Sequence, residues 1–505
     1  MLFYIPYFLL FFIIRLLLSY NKRFITTLLG VGMGCWYLIE SVECILQLFS
    51  VHASKHTNFV FTGNFDNPGP LGGFLAVIGT IAATYIIINR DTCNKVSKYF
   101  CGVIVALLII LLPASMSRAA WLSCGCAILI CLSVEFDIWY YIKRHRFLSV
   151  LSLAVFILLI IGSFYLKQDS ALGRFHIWKI ELRAILEDPI DGYGAGNALG
   201  AYGDAQARYF KLGMGDESDI AIAGCPEYAF NELLKIGVER GVFVMFAVFM
   251  ATLFCLFRLI RINTPLSYGM LALCIFSMSS YPFSLWQFRV LFTLFVAIAL
   301  QNHSESKILI RADRIISFAL FTILLCFGGE YVSYQKTRNN TIEEWKSIRN
   351  LASYEKYEDI TEELEPLLPI LKDNFRYMYD YGYALHKCGR YDKSNEILEQ
   401  GSKISSDPMF HNIIGKNYEG MGLYILAERE YEYSHYMVPC RLYPLVLLLE
   451  LYLKQGEIIE AEKILNKINK MPINERNRAM VDLKRRANAV YNKGIIDVEN
   501  SKTNN

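Results

Sequence analysis

The chain has 505 residues, 54% of them hydrophobic and 19% charged, with a mean hydropathy of +0.31. A soluble domain carries about 25% charge, which excludes a purely soluble chain of this length. The net charge is only +3 and no Lys/Arg block occurs, which excludes a nucleic-acid binder.

Half of the Lys and Arg, and more than half of the Asp and Glu, fall after residue 330. A membrane part therefore precedes an ordinary polar part. The 13 cysteines agree: Cys101, Cys124, Cys126, Cys131, Cys255, Cys274 and Cys326 sit in apolar runs, where a thiol is a small apolar filler. No CxxC pair or zinc-finger spacing appears. Cys225, Cys388 and Cys440 lie outside those runs, and a Cys388–Cys440 disulfide is one expectation.

A crossing helix needs roughly 20 predominantly apolar residues. Ten segments qualify, near 2–20, 24–49, 70–88, 99–115, 118–135, 147–166, 237–257, 266–281, 283–301 and 314–330. The first has the length of a signal peptide but lacks a basic n-region and an A-x-A site, and reads as a retained helix. The second carries Glu40 and Glu43, which puts its outer end outside lipid. Lys and Arg mark alternate loops: Lys22 and Arg23; Arg90, Lys95 and Lys98; Lys143, Arg144 and Arg146; Arg258 and Arg261; Lys307, Arg311 and Arg314. Those loops are cytoplasmic by the positive-inside rule. Loops 50–69 and 167–236 and everything after 330 face outward. Met1 then also faces outward, so either a helix precedes this start or the first segment does not cross.

The part after the membrane repeats itself. CGRYDKSNEILE (388–399), MGLYILAEREYE (421–432) and QGEIIEAEKILN (455–466) align at Gly389, Gly422 and Gly456. Gly382 and Gly415 precede two of these by seven residues. Tyr391, Tyr424 and Ile458 follow by two, and Ala427 and Ala461 by five. The spacing is close to the tetratricopeptide period, which predicts a soluble α-solenoid of helical pairs. The expected division is a membrane domain over 1–330, repeats over 331–495 and a frayed polar end over 496–505. Repeats carry no chemistry of their own, so the tail is expected to bind a protein partner or guide an acceptor.

Three outward segments break the lipid-facing pattern. FTGNFDNPGPLGG (61–73) specifies a turn and a helix start. Its Asn64, Asp66 and Asn67 offer hydrogen bonds at the membrane surface, or serve only as a capped re-entry turn. SMSRAAWL (115–122) puts Arg118 on the outward side, against the positive-inside bias. A boundary Arg often just snorkels, but small neighbours leave room here for a bulky ligand. A guanidinium suits phosphate through its planar fork of donors. Loop 167–236 holds GRFHIWKIELRAILEDPIDGYGAGN (173–197) and PEYAFNELLKIGVERG (226–241). Residues 175–187 read as an amphipathic helix with Phe175, Trp178, Leu182 and Ile185 on one face and Lys179, Arg183 and Glu187 on another. Arg174 precedes it and Gly-rich turns follow; no strand comes before the turn, so a dinucleotide-binding reading fails. Arg289, in WQFRV, is a third arginine at a membrane edge, where charge normally faces the protein interior. His52, His56 and His176 read as plain surface residues.

In this order and topology the segments resemble the O-antigen ligase/polymerase superfamily of bacterial membrane glycosyltransferases, over roughly residues 60–300. TGNFDNPGPLGGFLA is similar to its outer-turn motif and SMSRAAWL to its SR-x-A helix start. R-x3-W through DPIDGYGAGN is similar to its large periplasmic loop, and FNELLKIGVERG to its HN-x2-L-x3-E-x-G segment. The resemblance implies an all-α polytopic bundle of the GT-C type in the bacterial inner membrane. It implies transfer of a glycan from undecaprenyl pyrophosphate to a lipid or protein acceptor on the periplasmic side, with no metal and no cofactor. It also implies that Arg118 and Arg174 are the catalytic pair holding the pyrophosphate. Asn64, Asn67, Arg289 and Asn231 are candidate substrate-binding residues. One departure stands out: the family's His before Asn231 is Phe230 here, which cannot transfer a proton. Glu227, Tyr228 and Glu232 are the nearest acid/base candidates.

Two sister readings share the chemistry: a repeat-unit polymerase and a protein O-oligosaccharyltransferase. A polysaccharide transporter would show inverted repeats and matching broken helices, which this sequence lacks. A non-catalytic assembly scaffold is the remaining alternative, favoured by Phe230 and the repeats.

Overall fold

The computed structural model describes residues 4–136, 144, 168–301, 307–351, 356–472 and 477–503. Among them it is helical, with no strand. The chain forms two compact units. The first is Met1–Gln168, Phe230–Leu233 and Val244–Tyr334; the second is Asp169–Ala229, Leu234–Phe243 and Gln335–Asn505.

The first unit contains α1 (Ile5–Tyr20), α2 (Lys22–Leu48), α3 (Pro68–Ile88), α4 (Lys95–Ala114) and α5 (Arg118–Glu135). The expected span 147–166 lies outside the described residues. Six described helices are long and apolar enough to cross a membrane: α2, α3, α4, α5, Glu232–Ile262 and the stretch Arg311–Asn350. Three expected spans are shorter than their apolar runs: Ile5–Tyr20, Pro265–Ser277 and Trp286–Ala299. In the middle of these, SMSSYPF halts the helix, because the residue before Pro282 avoids the helical region.

Helix α3 is apolar on every side and buried over almost its whole length, as such a helix must be in a bundle core. It packs against α4, α5 and Pro265–Ser277. Gly72 and Gly73 permit this, since a Cβ there would lie 2.6 Å from Ser117 Cβ and 2.2 Å from Phe276. By contrast, Phe243, Phe246, Phe254 and Phe257 remain exposed on Glu232–Ile262, as lipid-facing side chains do.

Among the described residues, four of the basic loops gather at one end of this unit. Arg90 lies over the Phe136 ring at 4.6 Å. Asn263 donates to Glu135 at 2.7 Å, and Arg258 to the Gln301 carbonyl at 3.3 Å. Arg314 donates to Ser19 Oγ at 3.1 Å, and Arg15 pairs with Asp313.

The second unit joins residues 169–229 and 234–243 to the tail. Its loop helices are α6 (Gln168–Glu187), α7 (Ala198–Lys211) and α8 (Glu217–Ile222). Next come α9 (Glu232–Ile262), α10 (Pro265–Ser277), α11 (Trp286–Ala299) and α12 (Lys307–Leu351), which return through the first unit. The tail has α13 (Tyr357–Leu364), α14 (Phe375–Lys387), α15 (Tyr391–Ser402), α16 (Met409–Gly420), α17 (Tyr424–Met437), α18 (Tyr443–Gln455), α19 (Ile458–Lys470) and α20 (Arg478–Thr503). From α14 to α19 each helix packs on the next. The aligned Gly389, Gly422 and Gly456 sit in the turns within successive pairs, at φ of 72°, 77° and 75°, a conformation glycine adopts without strain. Gly382 and Gly415 lie against Leu398 and Tyr431, and Ala427 and Ala461 are fully buried.

Three expectations are corrected. Cys388 and Cys440 are free thiols; Cys388 lies beside Thr361 and Cys440 beside Ala223. The buried face of α6 is only partly the predicted apolar one, with Ile185 inside as expected. His176, Ile180, Glu181, Ala184 and Ile185 are inside, while Phe175 and Leu182 are exposed. The face includes His176 and Glu181 because a polar network meets it. His176, expected at the surface, is 3% exposed.

Candidate active site

At the end of the first unit away from the basic loops, the turn 61–67 leads into α3. Gln47 fixes it: its Oε1 accepts from the backbone N–H groups of Thr62 (2.8 Å) and Gly63 (2.9 Å), and its Nε2 donates to the Gly63 carbonyl (3.0 Å). Buried Glu40 accepts from the Asn64 backbone N–H at 3.1 Å and from its side chain at 3.2 Å. Asn67 caps α3, accepting from the Gly69 N–H at 2.8 Å. The predicted capped re-entry turn is therefore present, and both asparagines help to build it.

Arg118 opens α5, half-exposed, beside this turn. Ser117 Oγ donates to the Gly69 carbonyl at 3.1 Å, so α5 starts against the start of α3. Met116, just before, holds φ of +54°. A non-glycine residue there is strained, and such strain gathers at functional sites.

The same end holds the interrupted segment between α10 and α11. Buried backbone outside a helix needs internal partners, and three predicted site residues supply them. Asn231 Nδ2 donates to the Met278 carbonyl at 3.1 Å. Glu232 accepts from the Phe283 N–H at 2.7 Å. Arg289 Nε donates to the Phe283 carbonyl at 2.5 Å. Phe230 packs edge-on against Tyr281 at 5.5 Å. Asn64, Asn67, Arg118, Asn231, Glu232 and Arg289 thus share one end of one unit.

Arg174 and Glu227 belong to the second unit. Arg174 lies in the first half of α6, half-buried; Glu227 pairs with Arg376 at 2.7 Å, both exposed. The Gly-rich turn and the FNELLKIGVERG segment, separate in sequence, meet here. Tyr193 and Gly194 donate backbone N–H groups to the Val238 and Glu239 carbonyls at 2.9 and 3.0 Å, and Val242 donates to the Pro189 carbonyl at 2.8 Å. Gly241 breaks α9 at φ 77°, and a Cβ there would stand 2.1 Å from the Ile190 carbonyl oxygen. Close backbone approach thus accounts for these glycines without a phosphate.

Sequence reasoning missed the polar network under α6. Asp219 accepts from Tyr209 (2.5 Å) and Lys179 (2.9 Å) and pairs with His176 Nδ1 (3.2 Å). His176 Nε2 pairs with Gln206 Oε1 at 2.9 Å. Burial raises the Asp219 carboxyl, but hydrogen bonds from Tyr209, Lys179 and His176 outweigh it and hold it at about 2. Its only sequence signal is polar residues at helical spacing in α6 and α7.

Residues 103–249 match the family model Wzy_C, described as O-antigen ligase. The matched stretch takes in Arg118, Arg174, Glu227, Phe230, Asn231 and Glu232; Asn64, Asn67, Arg289 and the tail lie outside it. No curated protein matches the chain. The stretch is similar to an O-antigen ligase domain and is carried on apolar helices of membrane-crossing length.

Proposed function

We propose that the protein moves a glycan from undecaprenyl pyrophosphate to a lipid or other acceptor on the periplasmic side of the inner membrane. One observation carries this: the stretch similar to O-antigen ligases contains both outward-side arginines, Arg118 and Arg174. The clustering of basic loops at one end of the helix bundle supports an outward placement for the opposite end and for the tail. The glycine-marked helical pairs support a tetratricopeptide-like reading of that tail.

In the reaction, the acceptor oxygen attacks the anomeric carbon of the glycan. The bond from that carbon to the phosphate oxygen breaks, and its electron pair leaves on undecaprenyl pyrophosphate. Arg118 and Arg174 donate to the phosphates and stabilise the charge that develops there. Planar guanidinium forks suit that task better than ammonium groups. The acceptor proton passes to a base. Phe230 cannot be that base, which leaves Glu227, Tyr228 and Glu232 as the nearest carriers. Asn231, Glu232 and Arg289 hold the broken segment that faces the site, while Asn64 and Asn67 shape the turn beside Arg118.

A second reading, a non-catalytic assembly scaffold, is favoured by Phe230. Gel analysis of surface glycan in a deletion strain separates the cases. Loss of the whole ladder with accumulation of carrier-linked polymer is the expected result. A single capped unit would identify a polymerase instead, and an unchanged lipid ladder with unglycosylated protein a protein O-oligosaccharyltransferase. Full rescue by Arg118→Ala would leave the scaffold.

A further inference from the structure

Helix α7 of the outward loop lies against the tail along a face of small residues. A Cβ on Gly200 would stand 2.1 Å from the Lys403 carbonyl oxygen, and one on Gly203 would stand 2.7 Å from Met437 Cε. Ala207 completes the face, packed with Met437 and Val438. Hydrogen bonds close the seam. Tyr433 donates to Asp204 at 2.6 Å, Ser406 to the Pro226 carbonyl at 3.0 Å, and Arg441 to Cys225 Sγ at 2.8 Å. Gln206, 1% exposed, is the hub. Its Oε1 meets His176 of α6 and accepts from Tyr202 at 2.5 Å; its Nε2 donates to the Gly224 carbonyl at 3.0 Å and the Met437 carbonyl at 2.5 Å. A buried amide with every partner supplied cannot shift without stranding several groups.

We infer that the tail serves transfer from within the chain, as the seat of the outward loop. Helix α17, with the end of α15 and the segment between α15 and α16, holds α7. Through Gln206 and His176 they hold α6, which carries Arg174. Gly200, Asp204, Gln206 and Tyr433 are then positioning residues. The inference rests on the proposed role of the loop in glycan transfer. It places the tail's main contribution in orienting that loop, where the sequence alone suggested a groove for a partner.

The test uses the full chain in membrane vesicles, with two readouts: tryptic cleavage after Arg208 or Lys211, and glycan transfer. Cleavage there needs local opening of α7. Gly200→Val should raise cleavage and lower transfer, each about tenfold. Asp204→Leu should act in the same direction. Asp204→Asn, which still accepts from Tyr433, should restore both, a rescue that a general folding defect would not show. Arg486→Ala, at an exposed pair with Glu450, should change neither. An open loop with wild-type transfer overturns the inference, as does a protected loop in both Gly200→Val and Asp204→Leu. Should Arg174→Ala transfer normally while Gly200→Val does not, the seat stands and the role of Arg174 falls.

Discussion

Replacing Asp219 with Asn removes a charge that the loop network is built around. The side chain is nearly buried and takes donors from Tyr209, Lys179 and His176. Its carboxyl falls from an ordinary 3.8 to about 2. At 1.36 kcal/mol per unit of pKa, that difference is worth about 2 kcal/mol. The folded-state value is depressed, so this stabilisation is present above the unfolded-state value, near pH 4. It is lost as pH falls through about 2. Asp219→Asn should therefore raise the opening equilibrium of residues 198–222 about thirtyfold at pH 7, read as faster amide hydrogen exchange there. The melting temperatures of wild type and variant should differ at pH 5 and converge towards pH 2. Equal exchange rates at pH 7, or a difference that persists unchanged at pH 2, would refute the electrostatic account of the network.

Arg118→Ala should reduce transfer by about 10²–10³, the usual cost of losing an oriented charge-stabilising donor, while the protein still accumulates in membranes; Arg118→Lys should recover only part of it. Gly241→Ala should destabilise the junction of the Gly-rich turn with α9, because its Cβ collides with the Ile190 carbonyl and its φ disfavours an L side chain; increased proteolysis around 190–196 is the readout, and unchanged protection would count against that junction. Glu232→Gln should weaken transfer less than Glu232→Leu, since an amide oxygen still accepts from Phe283 N–H, and equal losses would point instead to an acid/base role. A periplasm-dependent phosphatase fused after residue 340 should be active, and an inactive fusion beside an active cytoplasmic reporter would reverse the topology.

The sequence by itself determined the features that depend on local patterning. Apolar runs marked the helices, because burial or lipid contact demands an unbroken apolar length. Alternating Lys and Arg marked the loops that gather at one end of the bundle. Glycines at a near-constant spacing marked the helical turns of the tail, because only glycine takes that φ cheaply. Asn67 and Pro68 announced the start of α3 by capping chemistry that needs no distant partner. Tertiary structure decided the rest. Which face of α6 is buried turned on Asp219, 43 residues from His176, so Phe175 and Leu182 of the apolar stripe are exposed and only Ile185 is inside. Asn231, Glu232 and Arg289 looked like site residues, and only the path of the chain at 278–285 revealed the backbone groups they satisfy. The loop and the tail looked like separate parts. They form one unit because Gln206 reaches a carbonyl 231 residues away, and no periodicity along a chain encodes a partner at that separation.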